Sequence, residues 1–558
     1  MKLKRFVVIL LSLLLAFTTL IGCSKSNDDP NMITIFRWDF VSLDNARRQK
    51  TPIYNKIKEV VGADLKAVSA SYDQWEGILN NLYNINELPD MFMNCNMDRP
   101  INYRKWIKDG AVLPISDYVS ETKYPNVYNY LKQYDYLLDR VSYMNGKHYA
   151  VYTKAVLEHG FFVRTDWIAN LNETEKLTGI LTEELGHAPN AQELETYKFK
   201  VPETLLDFYR LGRAFVKYDP DGDGKNDTYG YTSSESNMWF NNWIFTAFDS
   251  KYDGMISDGN GSLTSSYITE GNADAVAFLN RLYREGIMDP DYIATSGSQK
   301  TEAFVTGRVG MMAGNLYYND ILQKLMASTG KTMEEAKECF AIIAPPAGES
   351  GARGMNGNAG FWCGVSLRGN MSAAKREKCL ALLDFLLSKE AAHMFTYGIE
   401  GVNYEVVDGE KVSLMGKDSA GYAYTVESKD PGFVISTLVD WTYTYYSPYQ
   451  TNSEEIISSI SMMQNYKAVD PVVYVQTPLY MENYQMISGN AQTQFVSMIS
   501  SNHNSSYDTQ GIPTWDNLVV RSNDFNETWS GFVSTFNSDW GGAEMIEEYA
   551  EEAVKYLD

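Results

Sequence analysis

NADAVAFLNRLYREG, residues 272–286, is followed by two short apolar runs, VGMMA at 309–313 and AIIA at 341–344. The first stretch repeats apolar residues at helical spacing from Asn272 to Glu285 and stops at Gly286, a residue suited to a helix end. The two short runs read as buried strands. Helices alternating with short buried strands argue an α/β fold.

The alternation continues outward in both directions. Met32 to Arg37 (MITIFR) reads as a strand, and Leu88 to Phe92 as another, with Asn94 and Asn96 at its polar exit. Val201-Pro202-Glu203-Thr204 opens a helix: Thr204 is placed to cap it, Asp207 takes the third helical position, and Leu205, Phe208, Leu211 and Phe215 follow the helical period. Ser372 caps a helix reaching Ser388, with Cys379, Leu382, Leu383 and Leu386 on one face. Met545, Ile546, Tyr549, Ala553, Val554 and Leu557 stripe a C-terminal helix. Residues 405–540 are rich in Tyr, Asn, Ser and Trp, and their weak periodicity places no element.

The chain has 558 residues, 44% hydrophobic and 21% charged, which excludes intrinsic disorder and favours at least two lobes. A formal charge of −23 argues against a cationic nucleic-acid groove. Aromatic residues are unusually abundant, with 39 Tyr, 24 Phe and 11 Trp. Five cysteines do not make a disulfide-stapled scaffold. Cys95, Cys339, Cys363 and Cys379 form no C-x-x-C pair and are expected as buried free thiols.

The N-terminus sets the address. Lys2, Lys4 and Arg5 precede an apolar run from Phe6 to Ile21 that reads as a secretory signal. It ends in Leu20-Ile21-Gly22-Cys23, which resembles the bacterial lipobox. Residues 1–22 are then a removed signal peptide, Cys23 carries lipid (palmitate among its acyl chains), and residues 23–30 are a polar tether. The alternative is an ordinary signal with a chance cysteine. No second apolar run is long enough to span a bilayer, so the lipid is the expected anchor. The protein is expected at the extracellular face of the cell membrane.

Asp219-Pro-Asp221-Gly-Asp223-Gly224-Lys225-Asn-Asp227 carries acids at positions 1, 3, 5 and 9 of a loop with glycine at position 6. This is the ligand spacing of an EF-hand-type calcium loop, with Lys225 offering its backbone carbonyl. Position 12 is Gly230 rather than glutamate, and Thr228-Tyr-Gly-Tyr is not a second helix. A structural Ca²⁺ is expected over residues 219–230; the alternative is a polar Asp/Gly turn.

Catalytic motifs are missing. Gly330-Lys331-Thr332 lacks the leading glycine of a P-loop, since position 325 is Leu325. No H-E-x-x-H or G-x-S-x-G occurs, and the five histidines show no metal-ligand spacing. No enzyme activity is expected.

The order of pieces resembles an extracellular solute-binding protein of family 1, the receptor of an ABC-type importer, in the large lipoprotein branch that includes alginate- and oligosaccharide-binding proteins. The pieces are the lipobox, Glu87-Leu-Pro-Asp90, Gly110-Ala-Val-Leu-Pro114, Gly160-Phe-Phe-Val-Arg164 with Asp166-Trp167, Val201-Pro-Glu-Thr204, the calcium loop, Gly286-Ile-Met-Asp-Pro290, Thr306-Gly-Arg-Val-Gly310-Met, Leu383-Asp-Phe-Leu386 and Tyr397-Gly-Ile-Glu-Gly-Val-Asn-Tyr404. Residues 171–198 are an insertion that adds a helix at the cleft rim or decorates the surface, with decoration the favoured reading.

The resemblance implies a two-lobed periplasmic-binding-protein-like clamshell, type II-like, with hinge crossings. Lobe one takes 31–152 and 360–398, and lobe two takes 153–359 and 399–558. It implies an oligosaccharide ligand, ABC permease subunits as partners, no nucleic acid and a monomer. The alternatives are a receptor for peptide or another solute and, further off, a secreted carbohydrate-active enzyme. Sugar rings stack on aromatics, and their hydroxyls need directional polar groups. The resemblance places Trp38, Asp39, Asp90, Asn94, Trp239, Trp243, Asn315, Tyr317, Trp362, Glu400, Tyr404 and Trp441 at cleft loops; the alternative for each aromatic is core packing. Trp167 is assigned to the core. The acid excess argues against a strongly anionic uronate ligand unless Arg37, Arg99 or Arg353 supplies local positive charge.

Replacing Cys23 with serine is expected to release the protein from the membrane fraction and to abolish its labelling by radioactive palmitate. Retention of either property refutes the lipid anchor.

Overall fold

The computed structural model describes residues 29–95, 101–140, 145–155, 159–233, 239–356, 361–468, 477–502 and 511–553. The signal segment, Cys23, most of the tether, Asn96, Arg99, Val554 and Leu557 lie outside these ranges. Two sheets are built from β1 (Met32–Trp38), β2 (Asp64–Ala70), β3 (Met91–Asn94), β4 (Ala150–Lys154), β5 (His159–Arg164), β6 (Tyr229–Thr232), β7 (Val309–Asn315), β8 (Phe340–Ile343) and β9 (Phe361–Leu367). Lobe one holds the order β2-β1-β3-β9-β4 and lobe two the order β8-β5-β7-β6. In lobe one, β1 runs parallel to β2 and β3, while β9 is antiparallel to both β3 and β4.

Each sheet buries its own core. Ile33, Ile35, Phe92, Val151, Val365 and Leu383 belong to lobe one. Phe161, Phe208, Trp243, Phe278 and Met311 belong to lobe two, as does Trp167, which is 1% exposed. Caps set the helix starts as expected. Thr204 and Asp207 bond each other's backbone N–H at the head of Leu205–Lys217, and Ser372 accepts from the Lys375 N–H ahead of Ala373–Leu386.

Several expectations change. β3 starts at Met91 rather than Leu88. Cys95 and Cys363 are a disulfide rather than free thiols. They meet because Asn94 pairs with Gly364 in the β3–β9 ladder. Cys339 and Cys379 are free and buried, as expected. The segment after 399 divides between the lobes. Met415, Val426, Phe433, Ile435, Leu438 and Val439 join the lobe-one core, whereas Ile456, Ile460 and residues onward join lobe two. The reason is the 3-10 run Pro431–Leu438, which packs on the helices Val41–Gln49 and Pro52–Val61, with the Asp430 carboxylate accepting from the Ile53 N–H at 3.0 Å. The 171–198 insertion is not mere decoration. Its helix Thr174–Leu185 sinks Leu177, Ile180 and Leu181 into the lobe-two core.

Asp90, expected at the cleft, is instead the electrostatic centre of lobe one. Its carboxylate accepts from Lys375 Nζ at 2.9 Å, from Arg368 Nη2 at 2.8 Å, and from the Thr34 backbone N–H at 2.9 Å and hydroxyl at 2.8 Å. The Asp90 side chain is only 3% exposed. Burial alone would raise its pKa; the bonds from Thr34, Arg368 and Lys375 outweigh it and hold the carboxyl below the usual range. A carboxylate fully engaged in this way has nothing left for a ligand.

Asp90→Asn is expected to destabilise the protein by about 3–5 kcal/mol at pH 7, because Arg368 and Lys375 are left buried without an anion. The folded pKa is depressed, so this contribution is complete above the unfolded value of about 3.9 and is lost as pH falls through the folded value. Urea denaturation of wild type and variant should therefore differ at pH 7 and converge in strong acid. Equal stability at pH 7 refutes the role.

Candidate ligand-binding site

Strand direction selects one edge of each sheet. The parallel strands β1, β2 and β3 end at Trp38, Ala70 and Asn94, and β9 enters beside the end of β4, with Phe361 opposite Lys154. The chain leaves this edge after Lys154 and begins β5 of lobe two at His159. There β7 ends at Asn315, paired with His159, and the parallel β6 ends on the same side. Ligands of open α/β sheets bind beyond such carboxyl ends.

Lobe one gathers aromatics at its edge. The Trp38 ring lies 5.9 Å from Tyr72, 6.2 Å from Trp75 and 6.2 Å from Trp441. Tyr72 and Trp75 follow β2. Trp441 arrives later in the chain and is pinned: its backbone N–H donates to the Lys154 carbonyl at 3.0 Å and its indole to the Thr437 carbonyl at 2.7 Å. Asp39 is exposed in left-handed backbone at φ 52°, beside Trp38. The Arg37 guanidinium sits 4.9 Å from the Trp38 ring centroid and 5.7 Å from that of Phe40. Burial lowers its pKa to about 10, with the nearby Asp39 charge acting in the other direction.

Lobe two presents a smaller set. Trp239 is half-buried, edge-on to His159 at 6.0 Å, and Phe240 lies 5.2 Å from the same imidazole. Burial, reinforced by the Lys300 charge, pushes His159 down to about 4, so it is neutral at neutral pH. Asn315 is half-buried and Tyr317 is 50% exposed.

The expected cleft residues thus divide. Asp39 and Trp441 are open to the lobe-one edge, Trp38 and Asn94 lie at the same edge but are each only 7% exposed, with Trp38 packed into the lobe-one core, and Trp239, Asn315 and Tyr317 share the lobe-two edge. Trp362 lies in β9 at the first of these edges; its side chain is outside the described residues. Asp90 belongs to the buried ion cluster. Trp243 is a core residue, fully buried against Phe161 and Phe208, with its indole donating to the Tyr231 hydroxyl at 3.2 Å. Tyr404 is 5% exposed at the foot of the hairpin Tyr404–Val407 and Glu410–Ser413, against His393 and Tyr397, and Glu400 is exposed beside it. Sequence reasoning missed Tyr72, Trp75 and His159. Recognising DLKAVSA as a strand would have marked the YDQW that follows as an edge loop.

A cavity of about 440 Å³ lies at the opposite end of the lobe-one sheet, lined by Tyr83, Lys105, Asp109, Arg368 and Asn370 among others. It is remote from the aromatic edge.

The acidic loop forms a second candidate site. Asp219, Asp221 and Asp223 each offer a carboxylate oxygen, and these oxygens lie within 4.8 Å of one another. Asp219 Oδ1 is buried without a hydrogen-bond partner. Burial, joined by Asp219 and Asp223, pushes the Asp221 carboxyl above its usual range. Three converging carboxylates with an orphaned oxygen fit a hard divalent cation. Asp227 is not among the three. Lys225 turns its ammonium to Asp223. Position 12 is closed to any side chain: a Cβ on Gly230 would stand 2.7 Å from Gly212 Cα, where β6 crosses the helix Leu205–Lys217. The insertion supplies the loop's other neighbour, with Lys176 Nζ donating to the Asp219 carbonyl at 2.5 Å.

Comparison with known proteins fits this architecture. The chain is 27% identical over 355 residues to the polygalacturonan/rhamnogalacturonan-binding protein YtcQ of Bacillus subtilis (strain 168), covering 62% of each chain. It therefore spans less than two thirds of that relative. Among solved structures, the alginate-binding protein AlgQ2 without calcium ion matches 95% of this chain and 99% of its own, with a TM-score of 0.62 and 15% identity. The Streptococcus pneumoniae ABC-transporter substrate-binding protein FusA in complex with kestose matches 94% and 99%, with a TM-score of 0.62 and 14% identity. These likenesses establish the two-lobed α/β fold. Residues 58–393 match the model of the bacterial extracellular solute-binding protein, and the chain belongs to that family.

Proposed function

We propose that this protein is a lipid-anchored receptor at the extracellular face of the membrane that captures an oligosaccharide between its lobes and delivers it, unaltered, to an ABC permease. The observation that carries this reading is the pair of sheet edges joined by the crossings. One bears the Trp38, Tyr72, Trp75 and Trp441 cluster and the other Trp239 with Asn315. Aromatic faces interleaved with Asp39, Asn94 and Asn315 suit a ligand that is apolar on its ring faces and rich in hydroxyls at its rim. The glycan named for YtcQ and the kestose held by FusA support the class, and they differ in charge, so the ligand's acidity rests on this chain's own residues. The lipobox ending at Cys23 supports the anchor. In this reading Ca²⁺ is a structural ion held by Asp219, Asp221 and Asp223, with Asp227 and the Lys225 carbonyl as further oxygen sources. It ties the loop to lobe two and takes no part in capture.

Trp239→Ala is expected to weaken oligosaccharide binding by about 1–3 kcal/mol, the range of a lost aromatic anchor, with little change in stability, whereas Trp38→Ala, made in a side chain packed into the lobe-one core, is expected to weaken binding and to destabilise the protein as well. Trp243→Ala is expected to destabilise the protein by about 3–5 kcal/mol, as a core deletion does. Calorimetric titration with a glycan panel, beside melting curves, separates the two effects. Unchanged affinity in both edge variants refutes the map.

Chelation of calcium is expected to lower the melting temperature, and added Ca²⁺ to restore it by mass action. Asp219→Asn should blunt both responses. A melting temperature indifferent to chelator refutes the structural ion.

A further inference from the structure

Arg37 is the last residue before Trp38 on β1. A guanidinium carries five N–H donors in a rigid fork, and buried polar groups are paired as a rule. Other largely buried arginines find a carboxylate, although Arg210 and Arg368 also leave Nε without a partner. Arg164 pairs with Asp166 at 2.7 Å, Arg281 with Glu285 at 2.9 Å, and Arg368 with Asp90 at 2.8 Å. Among the described residues, the Arg37 guanidinium makes no hydrogen bond and no ion pair. Its Nε is fully buried and has no partner. What it touches is aromatic, the faces of Trp38 and Phe40. The residue as a whole is only partly buried, so the fork is shielded on its rings' side and still reachable. Asp39, two residues on, is exposed and acts on it through space alone.

An unpaired guanidinium stacked on the central tryptophan of a binding edge is a receptor for a planar anion, and carboxylate matches its fork bidentately. We infer that the cleft takes an acidic oligosaccharide, with Arg37 pairing with the carboxylate of a uronate residue whose ring lies against Tyr72, the exposed member of the Trp38 cluster. This rests on the receptor reading above and adds the ligand's charge and the residue that reads it. The chain's overall charge of −23 does not oppose this, because distant surface charges are screened beyond a Debye length whereas a desolvated contact is not.

The test is calorimetric binding to the full chain in detergent, with short oligogalacturonates and oligomannuronates compared with their methyl esters. The acids are expected to bind at least about tenfold more tightly than the esters. Arg37→Gln should abolish that preference, and Arg37→Lys should keep part of it as a point charge without the fork. Equal affinity for acid and ester in the wild type, or a preference that survives in Arg37→Gln, overturns the inference. So does binding confined to neutral fructo- or galacto-oligosaccharides, an outcome that leaves the receptor reading standing. Failure to bind any glycan removes both. If Arg37→Gln does not fold, the comparison of acid with ester on the wild type alone decides.

Discussion

The antiparallel pairing of β3 with β9 is the constraint on which the rest depends. Phe361–Leu367 is inserted between Met91–Asn94 and Ala150–Lys154, so lobe one is completed by a strand made only after most of lobe two. Both ends of the pairing are secured. At one end the Cys95–Cys363 disulfide joins the strands covalently, and at the other Arg368, just past β9, reaches Asp90, just before β3. Contacts of such long sequence separation are expensive in chain entropy before they return any stabilisation. A disulfide across 268 residues and a buried ion cluster are the kinds of bond that offset that cost.

The same geometry explains why the candidate site lies where it does. Three parallel strands end together, and the segments after them carry the side chains that a rigid sheet can hold in place. Asp39 leaves β1 and bonds the Ala70 carbonyl at the end of β2 through its backbone N–H at 2.8 Å, which ties the two loops to each other. Trp441 is fixed through the Lys154 carbonyl. The aromatic cluster is therefore assembled from three distant pieces of chain, each anchored by backbone bonds rather than by its rings alone, and an ordered platform costs less entropy when a ligand arrives.

Much of this was legible in residues. The capped helix at Thr204, the strand from Met32 and the strand from Val309 follow from spacing and capping that local chemistry dictates. The rest depended on tertiary context. Trp239 and Trp243 are four residues apart in similar company, and only packing sends one to the edge and the other to the core. Asp90 reads as a cleft residue until Lys375 and Arg368 are placed against it. The helix Pro478–Ser500 buries Tyr480, Tyr484, Ile487, Ala491, Phe495 and Met498 at helical intervals. Its opposite face mixes Met, Gln, Asn and Ser, which blurs the contrast that a periodicity argument needs. Cys95 and Cys363 lie so far apart in sequence that no local pattern could pair them.

Trp441's bond to the end of β4 has a mechanical consequence. The main chain passes between the lobes after Lys154, again before Phe361, and a third time between Trp441 and the helix Ser453–Gln464. A third strap fastened beside the first leaves a jointed body little freedom to twist or slide, much as a door hung on several pins can only swing. Any relative movement of the two halves has to bend all three straps together.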